Sequence, residues 1–273
     1  MPDHEIIAPG SGPAVPHVGG YRRVLPVSLE RMYENVLDWA HLPFVHSSTF
    51  SSVRCEDYGS WGWRGRVSDR SGQAWRLEVR LDRRCRRWIT RTLDGEHAGA
   101  EIWTHAAQLA APGAVPRLQI VVDFFVPGVP EQARNSVARA YARLYERLYD
   151  EDVGMMCERQ AQLDRRVEKL SSLALTLGPR EGLELPQVVV LGAREFVLAE
   201  FRDTLVAYPA RCPHQLGPLG SARLVDGEVR CPWHGYRFDV LTGECVSGQT
   251  CQLQPMPRVN IGPDGQVSVH IPT

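Results

Sequence analysis

A chain of 273 residues with 43% hydrophobic content and a formal net charge of −1 can bury one large core or two modest ones. The near-zero charge argues against a nucleic-acid partner or an acidic membrane surface, and the arginines are spread along the chain, with Lys169 the lone lysine. No apolar run approaches a membrane span and the N-terminal region has no signal-peptide core, so a cytoplasmic protein is expected.

Residues 1–20 are rich in Gly and Pro and lack periodicity, which predicts a loose tail. Residues 28–46 read as a helix, with Leu29, Met32, Tyr33, Val36, Leu37 and Ala40 on one stripe and Pro43 as its break. Strands are predicted over Trp61–Val67, Ala74–Leu81, Arg86–Leu93, Glu101–Leu109 and Arg117–Phe125. Residues 131–169 return to helix, with Val137, Tyr141, Leu144 and Leu148 on its apolar face. Residues 171–185 read as a linker, and the strands Gln187–Leu191, Glu195–Phe201 and Leu205–Tyr208 open a second domain. The expected fold class is therefore α+β. A helix-grip domain over 21–170, an antiparallel sheet wrapped on a long helix, precedes a small all-β domain over 186–273.

The sharpest motif lies in that second domain. Cys212-Pro213-His214 is followed, after sixteen residues, by Cys231-Pro232-Trp233-His234. Two thiolates suit one iron of a [2Fe–2S] cluster and two imidazoles suit the other, which raises the potential above that of an all-Cys cluster. A structural zinc site could use the same four residues. Zinc fingers usually pair like with like along the chain, whereas here each half-motif mixes Cys with His. The string CPHQLGPL…CPWHGYRFD resembles Rieske iron–sulfur domains. Cys55, Cys85, Cys157, Cys245 and Cys251 remain, and read as free, mostly buried thiols. Cys245 and Cys251 could pair across a turn, although the free-thiol reading is preferred for them too.

A second metal site is suggested by His41 and His46. Five residues apart on an unbroken helix they would sit about 140° out of register, because each residue turns roughly 100°. A break at Pro43 would swing the second imidazole back. Two His and one carboxylate form the triad that holds Fe(II) on one face. By themselves the two residues read as ordinary histidines near a helix end, and it is the cluster motif that reverses the balance. Asn-x-x-Asp-x-x-His-x-x-x-x-His, spanning Asn35 to His46, resembles the iron-binding segment of Rieske non-haem iron oxygenases. Asp-x-x-His-Leu-Pro-Phe-Val-His is most like their demethylase and monooxygenase branch.

That resemblance implies further roles. Asp38 takes the place of an acid that links the mononuclear iron to a cluster-ligating His. Asp152, in Glu151-Asp152…Glu158-Arg159-Gln160, matches the carboxylate ligand, with Asp150 as the alternative one turn-phase away. The acids at 150–152 could instead be charges at a helix N-terminus. The familiar order of domains is inverted here, because the cluster motif comes second.

The family implies an oxygenase that uses O2 to hydroxylate or oxidatively demethylate a small, largely apolar organic substrate. Some of Trp61, Trp63, Trp75, Trp88 and Trp103 could line the cavity, or all could be core. The chain has no dinucleotide fingerprint, so electrons would come from a separate NAD(P)H-dependent reductase, directly or through a ferredoxin. The resemblance also implies a homo-oligomer, a trimer in the family. The competing reading is an electron carrier fused to a non-catalytic ligand-binding domain.

Overall fold

A computed structural model describes residues 15–109, 114–165 and 174–271. The chain divides into two compact units, Met1–Cys157 and Glu158–Thr273.

The first unit opens with β1 (His17–Leu25), α1 (Leu29–Leu37) and the short α2 (Leu42–Val45). Six strands follow: β2 (Ser52–Gly59), β3 (Gly62–Ser68), β4 (Ala74–Asp82), β5 (Arg87–Thr92), β6 (Glu101–Gln108) and β7 (Leu118–Phe125). The long α3 (Arg134–Asp164) begins in this unit. The strands form one antiparallel sheet in the order β1-β7-β6-β5-β4-β3-β2. Alternation explains β7, the neighbour of the edge strand β1. In β7, Leu118, Ile120, Val122 and Phe124 are all 0% exposed while their neighbours face outward. Val137, Tyr141, Tyr145 and Tyr149 of α3 pack on this face and close the core.

Two expectations change here. Residues 1–14 of the expected tail lie outside the described residues, but His17–Gly20 form the start of β1, paired with Phe125–Asp123 of β7. The glycines there serve close packing rather than looseness: a Cβ on Gly19 would fall 2.5 Å from Ala138 Cβ on α3. The helix expected over 28–46 is two helices, and its break is at Asp38 rather than Pro43. Asp38 Oδ1 accepts the Ala40 N–H at 3.1 Å, and this local bond takes the backbone out of the helical ladder. Pro43 sits in the first turn of α2, where its missing N–H costs nothing.

The second unit contains β8 (Ala174–Pro179), β9 (Gln187–Leu191), β10 (Arg194–Phe201), β11 (Thr204–Pro209) and β12 (Leu224–Val225). It continues with β13 (Glu228–Arg230), β14 (Arg237–Asp239), β15 (Arg258–Ile261) and β16 (Gln266–His270). Three small antiparallel sheets result: β11-β10-β9, β12-β13-β14 and β15-β16-β8. Phe196, Leu198, Val267 and Val269 are at the centre of its core. The expected linker is therefore shorter than 171–185. Its residues 171–173 lie outside the described residues, and Ala174–Pro179 pairs with β16 as part of this unit. The helix predicted to 169 is described as far as Asp164.

Among the described helices, none is long and apolar enough to cross a membrane.

Candidate metal centres

His41 closes the turn after α1 and precedes α2, and His46 follows α2, so the short helix sets the two imidazoles on one side. Asp152 comes from the middle of α3, which removes the helix-N-terminus reading of the 150–152 acids. All three residues are buried, with His41 and His46 at 3% exposure and Asp152 at 6%. Nε2 of His41 and Nε2 of His46 are 3.2 Å apart. Oδ1 of Asp152 lies 3.0 Å from Nε2 of His46 and 3.5 Å from Nε2 of His41. One ligand-type atom from each residue thus falls within 4.8 Å of the other two. That is the arrangement a 2-His-1-carboxylate set presents to a metal ion.

The surroundings hold this set in place. Asn35 Nδ2 donates to Asp152 Oδ1 at 2.9 Å. His46 Nδ1 lies 2.7 Å from Glu151 Oε2. Asp38 Oδ2 is 3.8 Å from His41 Nδ1, an ion-pair distance longer than a hydrogen bond. Burial disfavours the His41 imidazolium, but the carboxylates of Asp152 and Asp38 outweigh it and push the group up to about 10. Burial alone would raise Asp152, but hydrogen bonds from His41 and His46 hold it far below the usual carboxylate range. Such a buried, mutually stabilised charge cluster suits a divalent cation that replaces the proton.

Asp150, the alternative ligand, is elsewhere: its carboxylate pairs with Arg23 at 2.6 Å and is 58% exposed. Asn35 and Glu151 received no role from sequence, although both stand within the strings that carried the resemblance. Their hydrogen bonds span 117 and 105 residues, so no local pattern announces them.

The triad opens on a cavity of about 140 Å³ walled by Met32, Trp63, Val79, Trp88 and Tyr149. A second cavity of about 260 Å³, which includes Trp75, shares Phe50, Thr90, Tyr145 and Leu148 with the first. Trp61 and Trp103 line neither cavity. The guanidinium of Arg80 lies 5.8 Å from the Trp61 ring centre, and that of Arg87 lies 4.6 Å from the Trp103 ring centre.

In the second unit the two Cys/His loops have one conformation. Cys212 N–H donates to Gly217 O at 2.8 Å and Leu216 N–H to Cys212 O at 2.9 Å. Cys231 N–H donates to Tyr236 O at 2.8 Å and Gly235 N–H to Cys231 O at 2.9 Å. The fourth residue after each Cys has a positive φ: Leu216 at 65° and Gly235 at 67°. Cys212 and Cys231 are each 1% exposed. Their thiols share a hydrogen bond, which raises Cys212 and, with help from His234, brings Cys231 down to about 5. His214 is exposed and His234 buried, with ring centres 4.5 Å apart at 83°. Tyr236 stacks on His214 at 4.7 Å. Gly217 leaves the cradle open, since a Cβ there would fall 2.8 Å from Cys231 Sγ. Two clustered thiols beside two clustered imidazoles are the donor set a [2Fe–2S] group of this type requires. The other five cysteines are free, and they are less buried than expected: Cys85 is exposed and the rest are half-buried.

The family model for the Rieske [2Fe-2S] domain matches residues 177–257. The chain carries a Rieske [2Fe–2S] domain. The chloroplastic protein TIC 55 of Arabidopsis thaliana is 44% identical over 54 residues, 19% of this chain and 10% of that protein. The oxygenase component of dicamba O-demethylase from Stenotrophomonas maltophilia is 49% identical over 35 residues, 13% of this chain and 10% of that protein. The chain thus matches about a tenth of the length of these curated relatives. Among solved structures, the ZhuI aromatase/cyclase of Streptomyces sp. R1128 superposes with a TM-score of 0.40 and 16% identity, covering 54% of this chain and 96% of that one. The Rieske domain supports a [2Fe–2S] cluster.

Proposed function

We propose that this chain is a Rieske-type non-haem iron oxygenase with its mononuclear-iron domain first and its Rieske domain second. The observation that carries the reading is the buried meeting of His41, His46 and Asp152 at the wall of an apolar cavity, in a chain with a Rieske domain. Cys212 and Cys231 hold one iron of the cluster and His214 and His234 the other. His41, His46 and Asp152 hold Fe(II). Bound there, the cluster supplies single electrons and the iron supplies O2 binding and reduction.

The chain's own residues do the rest. Glu151 orients His46 through the ring nitrogen that faces away from the metal position, and Asn35 holds Asp152 by donating to the Oδ1 that faces the two imidazoles. Asp38 sits behind His41 and is the group that couples this site to a cluster-ligating His. Trp63, Trp88 and Phe50 exclude water and receive a small, largely apolar organic molecule. Hydroxylation and oxidative demethylation are the reactions this site suits. A separate NAD(P)H-dependent reductase, directly or through a ferredoxin, supplies electrons, and the working form is a homo-oligomer.

Metal analysis of the anaerobically purified full chain tests the reading. We expect cluster iron and sulfide together with one further iron, and EPR of a Rieske centre after reduction. Cluster iron alone would favour an electron carrier fused to a ligand-binding domain. Zinc at the four Cys/His residues would remove the redox role.

A further inference from the structure

Two cysteines outside the cluster motif face each other. Glu244 and Gln252 form an antiparallel bridge, and Leu253 N–H donates to Gly243 O at 2.8 Å. The next pair outward in this register is Cys245 opposite Cys251. Directly opposed antiparallel residues hold their Cα atoms about 4.5–5.5 Å apart. This lies within the roughly 4.4–6.8 Å that a disulfide spans. Both thiols are free, and each influences the other's ionisation. Both are half-buried, and Val246, Gly248, Gln249 and Thr250 between them are exposed, so a small reagent can reach the sulfurs.

The turn is tied to the strand that follows the second cluster loop. Cys245 bridges Phe238 of β14, Val246 N–H donates to Arg237 O at 2.9 Å, and Arg237 N–H donates to Ser247 Oγ at 3.1 Å. Four residues separate the Cys231–His234 segment from Asp239 at the end of β14, so a cross-link at this turn would stiffen the backing of that loop.

We propose that Cys245 and Cys251 are a reversible dithiol–disulfide pair, oxidised by small-molecule disulfides, that clamps the turn behind the second cluster loop. The Cys245 thiolate attacks one sulfur of the oxidant, forming a mixed disulfide and releasing one thiol. The Cys251 thiolate then attacks the Cys245 sulfur, closing the protein disulfide and releasing the second thiol. Two protein thiols lose two electrons and two protons, and one small disulfide becomes two thiols. Cys245 is the attacking sulfur. Burial alone would raise its thiol, but hydrogen bonds from Ser247, the Gln249 backbone and Cys251 bring it below the usual range. Sulfur to oxygen distances of 3.3 Å to Ser247 Oγ and 3.4 Å to Gln249 Oε1 place it against polar partners.

The full chain with its cluster assembled is equilibrated in glutathione buffers of rising oxidation, the remaining thiols are alkylated, and intact mass and peptide maps are read. We expect loss of two hydrogens, a cross-linked peptide joining Cys245 to Cys251, and reversal by dithiothreitol. In Cys251→Ser a glutathione adduct at Cys245 should accumulate instead. The second readout is the rate at which a strong iron chelator bleaches the visible spectrum. It should be several-fold slower for the oxidised wild type and unchanged by oxidation in Cys251→Ser. Recovery of both thiols in the wild type across all buffers overturns the pair. A cross-link with unchanged bleaching overturns the clamp.

Discussion

Nδ1 of His46 lies 2.7 Å from Oε2 of Glu151, while Nε2 of the same ring points at Asp152 from 3.0 Å. The carboxylate accepts the proton on the far nitrogen, fixes the tautomer and leaves the near nitrogen's lone pair for a metal. Glu151 precedes Asp152 on α3, so adjacent residues of one helix hold and complete the same site. Glu151→Gln keeps the size but removes the charge. We expect a loss of metal affinity of about 10–100-fold, measured by titration of the metal-free protein with Fe(II) or Co(II), with an unchanged cluster spectrum.

The triad separates from its neighbours by substitution. His41→Ala, His46→Ala and Asp152→Ala should each lose the mononuclear iron and substrate oxidation while keeping the Rieske visible and EPR signals. Asp150→Ala should bind iron as the wild type does, because that carboxylate faces Arg23 instead. Iron loss in Asp150→Ala with retention in Asp152→Ala would reassign the carboxylate.

One change divides the turn-forming bond of Asp38 from the coupling role proposed for it. Asp38→Asn keeps an oxygen to accept the Ala40 N–H, so the break between α1 and α2 should survive. It removes the negative charge behind His41 Nδ1. Both metals should remain, and cluster oxidation in a single turnover with substrate and O2 should slow strongly. Wild-type rates would reduce Asp38 to a turn-forming residue.

The metal-free protein should show a definite pH dependence of stability. His41 is pushed up to about 10 from an ordinary 6.5, so its contribution is full below pH 6.5 and is lost as pH rises from 6.5 towards about 10. Asp152 is depressed below its ordinary 3.8, so its contribution is present above that value and is lost as pH falls below it. The metal-free chain should therefore melt highest at mildly acid pH. Metal loading should raise the melting temperature most at neutral and alkaline pH, where the ion replaces the departing proton. Calorimetry of both forms across this range checks the prediction, and equal pH profiles would contradict it.

Gly217 tests the cluster cradle by space alone. A Cβ there would stand 2.8 Å from Cys231 Sγ and 3.1 Å from Trp233. Gly217→Ala should lower cluster occupancy after anaerobic reconstitution, read from visible absorbance per chain. The first unit should be unaffected, read from retained Fe(II) binding at the triad.

Sequence alone determined what depends on near neighbours. The Cys212–His214 and Cys231–His234 loops are legible because each conformation closes within five or six residues. β7 is legible because Leu118, Ile120, Val122 and Phe124 alternate with the pleat. Tertiary structure decided what depends on distant chain. Asp152 rather than Asp150 meets the histidines because the phase of α3 is set by packing Tyr145, Tyr149 and Met156 against the sheet, which turns Asp150 outward. Glu151 and Asn35 gain roles only through contacts across more than a hundred residues. Gly19 reads as part of a tail until Ala138 packs against it, and Ala174–Pro179 reads as linker until β16 offers its backbone groups. The break at Asp38 lies between these cases. Its cause is local, a side chain accepting the N–H two residues on, but Pro43 masks it in sequence because proline is the stronger general helix breaker.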